Sequence, residues 1–118
     1  MNEVDEKFGK LYKSATGSMR FNDGKPEVSQ LDPEFIIELS ELLTISAKKY
    51  GKYNWALGQE FHTPYDSCMR HMFKFMSGEN VDSESGLSHL LHAAANIMIL
   101  YRSLKLDKKE LDTRFNWK

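Results

Sequence analysis

The segment ending at Leu104 constrains the fold most. Read as a helix starting near Asp82 or Ser83, it runs through His89, Leu90, Ala93, Ala94, Ile97, Leu100 and Leu104, and adds Leu87, Leu91, Met98, Ile99 and Tyr101 on its other sides. A helix that is apolar almost all round must be surrounded by other elements. The segment therefore predicts the central helix of a bundle. It does not predict a membrane span, because its longest strongly apolar run, Ala93 to Leu100, is far short of the roughly 20 residues a bilayer requires.

Two further helices can be placed around it. Asp32 is a cap, Pro33 suits the first helical position and Glu34 complements the helix dipole. Leu31, Phe35, Ile36, Leu39, Leu42, Leu43 and Ile45 then keep a helical spacing to about Lys49, and Gly51 supplies a left-handed stop. A second helix is expected from Thr63-Pro64, with Thr63 as cap and Asp66 completing the box. Its apolar face would be Met69, Met72, Phe73 and Met76, with Gly78 at its end. Asp107 and Glu110 suggest a short last helix, followed by Phe115 and Trp117. No segment shows strand alternation. The expected fold is all-α: a small bundle of three main helices plus a short C-terminal helix, with an irregular N-terminal arm. As a single domain over 1–118, it divides into an arm (1–30), a helical core (31–106) and a terminal helix with its tail (107–118). Within the arm, Asn22-Asp23-Gly24-Lys25 reads as a tight turn.

Composition excludes several function classes. Sixteen Lys and Arg against seventeen Asp and Glu leave a net charge of -1, which does not describe a surface for extended nucleic acid. The start of the chain, Met1 to Lys7, is polar and lacks an apolar signal core. One cysteine, Cys68, cannot form an internal disulfide, so a reducing cytoplasm is the expected location. The apolar third helix and the terminal Phe115 and Trp117 point to surface left for a partner, with a homodimer or larger homo-oligomer expected.

Ligand-type side chains concentrate between His71 and Asn96. His89 and His92 lie three apart and Asn96 four further on, all on one helical face. Arg70 and His71 sit on the preceding helix, which runs antiparallel if the loop between is short. The acidic loop holding Glu79, Asp82 and Glu84 joins the two. Carboxylates and imidazoles gathered in this way suit a divalent cation: Mg²⁺ through the oxygens, Mn²⁺ or Zn²⁺ through the nitrogens as well. The competing reading is structural, with core histidines bonded to backbone or carboxylates and acidic residues capping a helix. A second cluster, Lys48 to Trp55, offers lysines for phosphates and Tyr50, Asn54 and Trp55 for a base, or else a helix end followed by aromatics that cover the core.

Three ordered blocks resemble a phage and prophage family. They are Arg20-Phe21-Asn22-Asp23-Gly24-Lys25-Pro26; then Lys49-Tyr50-Gly51-x-x-Asn54-Trp55-x-x-Gly58; then Arg70-His71 followed by Gly78-Glu79-x-x-Asp82-x-Glu84-Ser85-Gly86-Leu87-x-His89-Leu90-x-His92-Ala93-x-x-Asn96. The chain resembles the dATP/dGTP diphosphohydrolase N-terminal domain family over about residues 19 to 100. The resemblance implies an all-α nucleotide pyrophosphatase, distantly similar to MazG-type enzymes, which cleave nucleoside triphosphates between the α and β phosphates. Glu38-x-x-Glu41 and Glu79-x-x-Asp82 echo the metal-binding pairs of those enzymes, whereas the histidine face of the third helix has no counterpart in them.

The expectation that follows is a metal-dependent hydrolase of purine (deoxy)nucleoside triphosphates, in the host cytoplasm if phage-encoded. Glu79, Asp82, His89 and His92 would hold Mg²⁺ or Mn²⁺, with Zn²⁺ as a further option, and His71 or Glu84 would act as base. Lys25, Lys49, Tyr50, Asn54, Trp55, Arg70 and Asn96 would bind the nucleotide. The alternative is a non-catalytic nucleotide binder, such as a phage protein that sequesters a host signalling nucleotide.

Overall fold

The computed structural model describes residues 9–117. Met1 to Lys7 lie outside the described residues. The chain divides into two units, one up to Leu31 and one from Asp32.

The first unit holds a small hairpin. Strands β1 (Leu11–Lys13) and β2 (Met19–Phe21) pair antiparallel, with Leu11 opposite Phe21 and Lys13 opposite Met19. The Ser14 hydroxyl closes the hairpin loop by accepting from the Ser18 amide at 3.1 Å. These strands were not expected: three residues each, mostly exposed, are too short to display an alternating pattern. The expected turn is present, with the Lys25 amide donating to the Asn22 carbonyl at 3.3 Å and Gly24 at φ 76°.

The second unit is helical: α1 (Pro33–Tyr50), α2 (His62–Met76) and α3 (His89–Lys105). Short 3-10 turns lie at Asn54–Leu57 and Lys109–Leu111. The first helix starts and stops as its sequence dictates. The Asp32 carboxylate accepts from the Glu34 amide at 3.0 Å, and Gly51, at φ 92°, donates its amide to the Ala47 carbonyl.

Two starts and one ending differ from expectation. Thr63 does not cap α2. Instead, the Phe61 amide donates to the Leu111 carbonyl at 2.9 Å, and the His62 amide donates to the Thr113 hydroxyl at 3.1 Å. A partner 51 residues away does the work of a local cap, so the local sequence could not reveal it. The third helix begins at His89, not near Asp82, with the Ser88 hydroxyl accepting from the Leu90 amide at 3.1 Å. Asp82 does cap a turn, but Gly86 at φ 75° takes the chain out of helical geometry before it propagates. Beyond α3, Asp107 sits at φ 54° and starts no helix, leaving only the 3-10 turn.

As expected, α3 is central. It runs antiparallel to α2, as the pairing of His71 with His89 and of Ser67 with Asn96 fixes. On its other side, Leu91 and Ala95 pack with Leu42 of α1, supported by Leu39, Leu43 and Leu87. Ser67 and His71 make the hydrogen bonds from α2 to α3, and of the expected apolar face Met69 and Met72 are half-buried whereas Phe73 and Met76 remain exposed. No helix among the described residues is long and apolar enough to cross a membrane.

The connection after α1 is pinned to α3 by Ser103. This buried hydroxyl donates to the Ile99 carbonyl at 2.7 Å and accepts from the Gln59 amide at 2.9 Å. Gly58 sits beside it at φ 83°, where a Cβ would lie 2.6 Å from Leu106 Cδ1 and 3.1 Å from Leu111 Cδ1. Left-handed backbone and lack of space act together there. Gly58→Ala is expected to lower unfolding stability by roughly 1–3 kcal/mol, read by denaturant melts.

A candidate metal centre between two helices

The loop joining α2 to α3 is short and tightly bonded. The Asp82 amide donates to the Leu87 carbonyl, the Gly86 amide to the Asp82 carbonyl, and the His89 amide to the Asn80 carbonyl at 3.0 Å. One carboxylate oxygen of Asp82 accepts from the Glu84 and Ser85 amides at 2.8 and 2.9 Å. Its other oxygen faces His71 Nδ1 at 3.9 Å. The amide hydrogen bonds, from Ser85 first, hold the Asp82 carboxyl below the usual carboxylate range, so it is ionised at neutral pH.

His89 is the anchor. It is 0% exposed, and its Nε2 lies 2.5 Å from a Glu79 carboxylate oxygen. A carboxylate only accepts, which places the proton on Nε2 and leaves Nδ1 as a lone pair facing the opposite way. That Nδ1 lies 2.9 Å from Nδ1 of His71 on α2. The His92 ring stacks on His71 with centroids 4.4 Å apart and planes within 9°, while its Nε2 meets the Ser85 hydroxyl at 2.7 Å. Burial, followed by the neighbouring imidazoles His92 and His89, pushes the His71 pKa below its ordinary value. Burial does the same to His92, against the opposing pull of Asp82.

One ligand atom from each of His71, Asp82 and His89 falls within 4.8 Å of the others. Atoms bound to one cation at about 2.1 Å stand roughly 3–4.3 Å apart, so only small adjustments separate this trio from a coordination sphere. The donor set is two imidazoles and one anionic oxygen, and the loop and helix backbone hold two of the three. Glu79 stands behind His89, the position of an outer carboxylate that orients a ligating ring.

The other expected site residues are placed as follows. His92 lies beside the trio, with its Nε2 turned to Ser85. Glu84 is exposed and pairs with Lys49 at 3.5 Å, which brings the end of α1 to the rim of the acidic loop. Asn96 is occupied by fold contacts, donating to the Ser67 hydroxyl and the His92 carbonyl at 3.0 and 2.9 Å. Arg70 is exposed on α2. Tyr50 is exposed at the end of α1, and Asn54 and Trp55 are half-buried in the 3-10 turn, with Trp55 edge-on to Tyr53. Lys25 belongs to the turn of the first unit. Sequence reasoning missed Ser85 as the partner of His92; the only signal was its place three residues after a turn-capping Asp82. Cys68 is half-buried, and burial raises its thiol pKa, as suits an unreactive helix residue.

Comparison with known proteins agrees with the resemblance read from the blocks. The family described as dATP/dGTP diphosphohydrolase, N-terminal, matches residues 15–114. A protein of Salmonella phage PMBT28, named dATP/dGTP diphosphohydrolase, is 34% identical over 83 residues, which cover 70% of this chain and 28% of that relative. This chain thus matches little more than a quarter of that protein's length. No solved structure matches. With that match running from the hairpin to the segment that closes α2, the chain belongs to the dATP/dGTP diphosphohydrolase N-terminal family.

Proposed function

We propose that this protein hydrolyses purine deoxynucleoside triphosphates at a divalent cation held by His71, Asp82 and His89. The observation that carries the reading is the convergence of three ligand atoms on a wholly buried histidine backed by Glu79. The phage relative's name supplies the substrate class. Two imidazole nitrogens beside one carboxylate favour Mn²⁺ over Mg²⁺, which prefers oxygen ligands.

A bound cation would neutralise phosphate charge and acidify the attacking water. The chain's own residues supply the rest. Glu79 fixes the tautomer of His89, and the Glu84 and Ser85 amides fix the Asp82 carboxylate. With His71 taken as a ligand, Glu84 at the rim is the candidate proton acceptor. Lys49 beside it and Arg70 offer positive charge to phosphate oxygens, while Tyr50, Asn54 and Trp55 offer stacking and hydrogen bonds to the base. The bond cleaved would lie between the α and β phosphates, releasing a deoxynucleoside monophosphate and pyrophosphate.

Three outcomes follow from this reading. Incubation with dATP or dGTP and Mn²⁺ yields monophosphate and pyrophosphate, and Asp82→Asn lowers the rate at least about 100-fold with an unchanged circular-dichroism spectrum. Recovery of intact nucleotide from the wild-type protein would overturn hydrolysis, and loss of the helical spectrum in Asp82→Asn would assign Asp82 to folding instead. Glu79→Gln, which keeps the shape but weakens the hold on His89, lowers Mn²⁺ affinity about 10–100-fold by calorimetry. Protons compete with the cation for His71 and Asp82. Because burial and the neighbouring imidazoles hold the His71 pKa below its ordinary value, competition at His71 sets in at a lower pH than for a free imidazole, which calorimetric Mn²⁺ titrations across a pH series would show.

A further inference from the structure

Two of the three sides of α3 are covered, by α2 and by α1. The third carries Leu90, Ala94, Ile97, Tyr101 and Leu104, which recur at intervals of four, three, four and three residues. This is the spacing of a seam that packs against another helix. Leu90 is 39% exposed, Ile97 57%, Tyr101 55% and Leu104 54%. From Gly86 through Tyr101 there is no Asp, Glu, Lys or Arg, and charge reaches the stripe at its C-terminal end, where the Lys105 ammonium lies 5.4 Å from the centre of the Tyr101 ring.

We propose that this face of α3 binds the same face of a second copy, with the two helices antiparallel and crossing at Ile97. Three features of the stripe select a second copy as occupant. First, it is self-complementary about Ile97: in an antiparallel pair, Ile97 meets Ile97, Leu90 meets Leu104, and the small Ala94 lies opposite the large Tyr101. A small side chain then meets a large one in the Ala94/Tyr101 layers while branched aliphatics meet in the others, and an isologous contact arises without a second surface. Second, charge agrees with this direction. Arg102, Lys105, Lys108 and Lys109 outnumber Asp107 and Glu110 at the end of the helix, whereas the exposed Glu79 and Glu84 precede its start. Antiparallel pairing brings the basic end of one copy to the acidic end of the other, and a parallel pair would oppose like charges. Third, antiparallel helices align their dipoles favourably. The stripe spans about 21 Å, close to the full length of α3.

Sedimentation velocity tests the assignment and is independent of metal or nucleotide. The wild-type chain is expected to sediment as a dimer, and Ile97→Glu as a monomer with an unchanged circular-dichroism spectrum. Ile37→Glu, on the exposed surface of α1, should stay dimeric. The register is tested by cross-linking in a Cys68→Ser background. Ile97→Cys should form an intermolecular disulfide on mild oxidation. Leu90→Cys alone should not, whereas mixing it with Leu104→Cys should. A wild-type monomer at high micromolar concentration, including one that leaves this face to some other partner, overturns the proposal. So does an Ile97→Glu variant that remains a dimer, or an Ile37→Glu variant that becomes a monomer. A dimer in which Ile97→Cys fails to cross-link overturns the antiparallel register.

Discussion

A histidine with no exposure to water needs both ring nitrogens satisfied by protein atoms, and His89 is that residue here. Glu79 takes one nitrogen and His71 the other. Those two contacts tie together the start of α3, the loop before it and the far end of α2. Remove either and a buried polar atom is left unpaired, a penalty of about 1–3 kcal/mol. The same constraint that closes the bundle at this end gives the site its geometry. His89 cannot rotate, its proton is assigned by Glu79, and its inner lone pair is aimed at the one place where His71 and Asp82 also point.

The loop before α3 shows how little chain such a site requires. Asp82 uses one carboxylate oxygen to hold two amides and keeps the other for the pocket. Its ionised state follows from the hydrogen bonds that build the turn. Burial keeps His71 neutral, and its Nδ1, which donates to His89 here, can face a cation beside the fixed carboxylate once the ring proton moves to Nε2. Fold and electrostatics therefore do not need separate explanations.

Much of this could be read from the residues in order. The limits of α1 followed from Asp32-Pro33 and Gly51 because all their partners are local. The central place of α3 followed from its apolar circumference. His71, Glu79, Asp82 and His89 were all picked out as site residues, and the structure brings them together. What could not be read was distance along the chain. The closure of α2 by Thr113 and the stacking of His92 on His71 depend on contacts far apart in sequence. Asp82 was misjudged as a helix start because an aspartate that caps a single turn looks, in sequence, like one that caps a helix; the left-handed Gly86 decides between them. The apolar stripe of α2 is only half covered, with Met69 and Met72 half-buried and Phe73 and Met76 exposed, for a different reason. Periodicity marks an apolar face but does not say which neighbour covers it, and here hydrogen-bonding side chains took the inner side.

The bonds from His62 to Thr113 and from Phe61 to Leu111 have a consequence for the order of events during synthesis. The first turn of α2 stays frayed until the whole of α3 and the stretch beyond it have left the ribosome. Loop closure over such a separation is entropically costly and follows the local helical turns. The helix that carries His71 is thus completed only by a segment 51 residues downstream of its start, and a nascent chain interrupted before that segment holds the imidazoles without the finished frame around them.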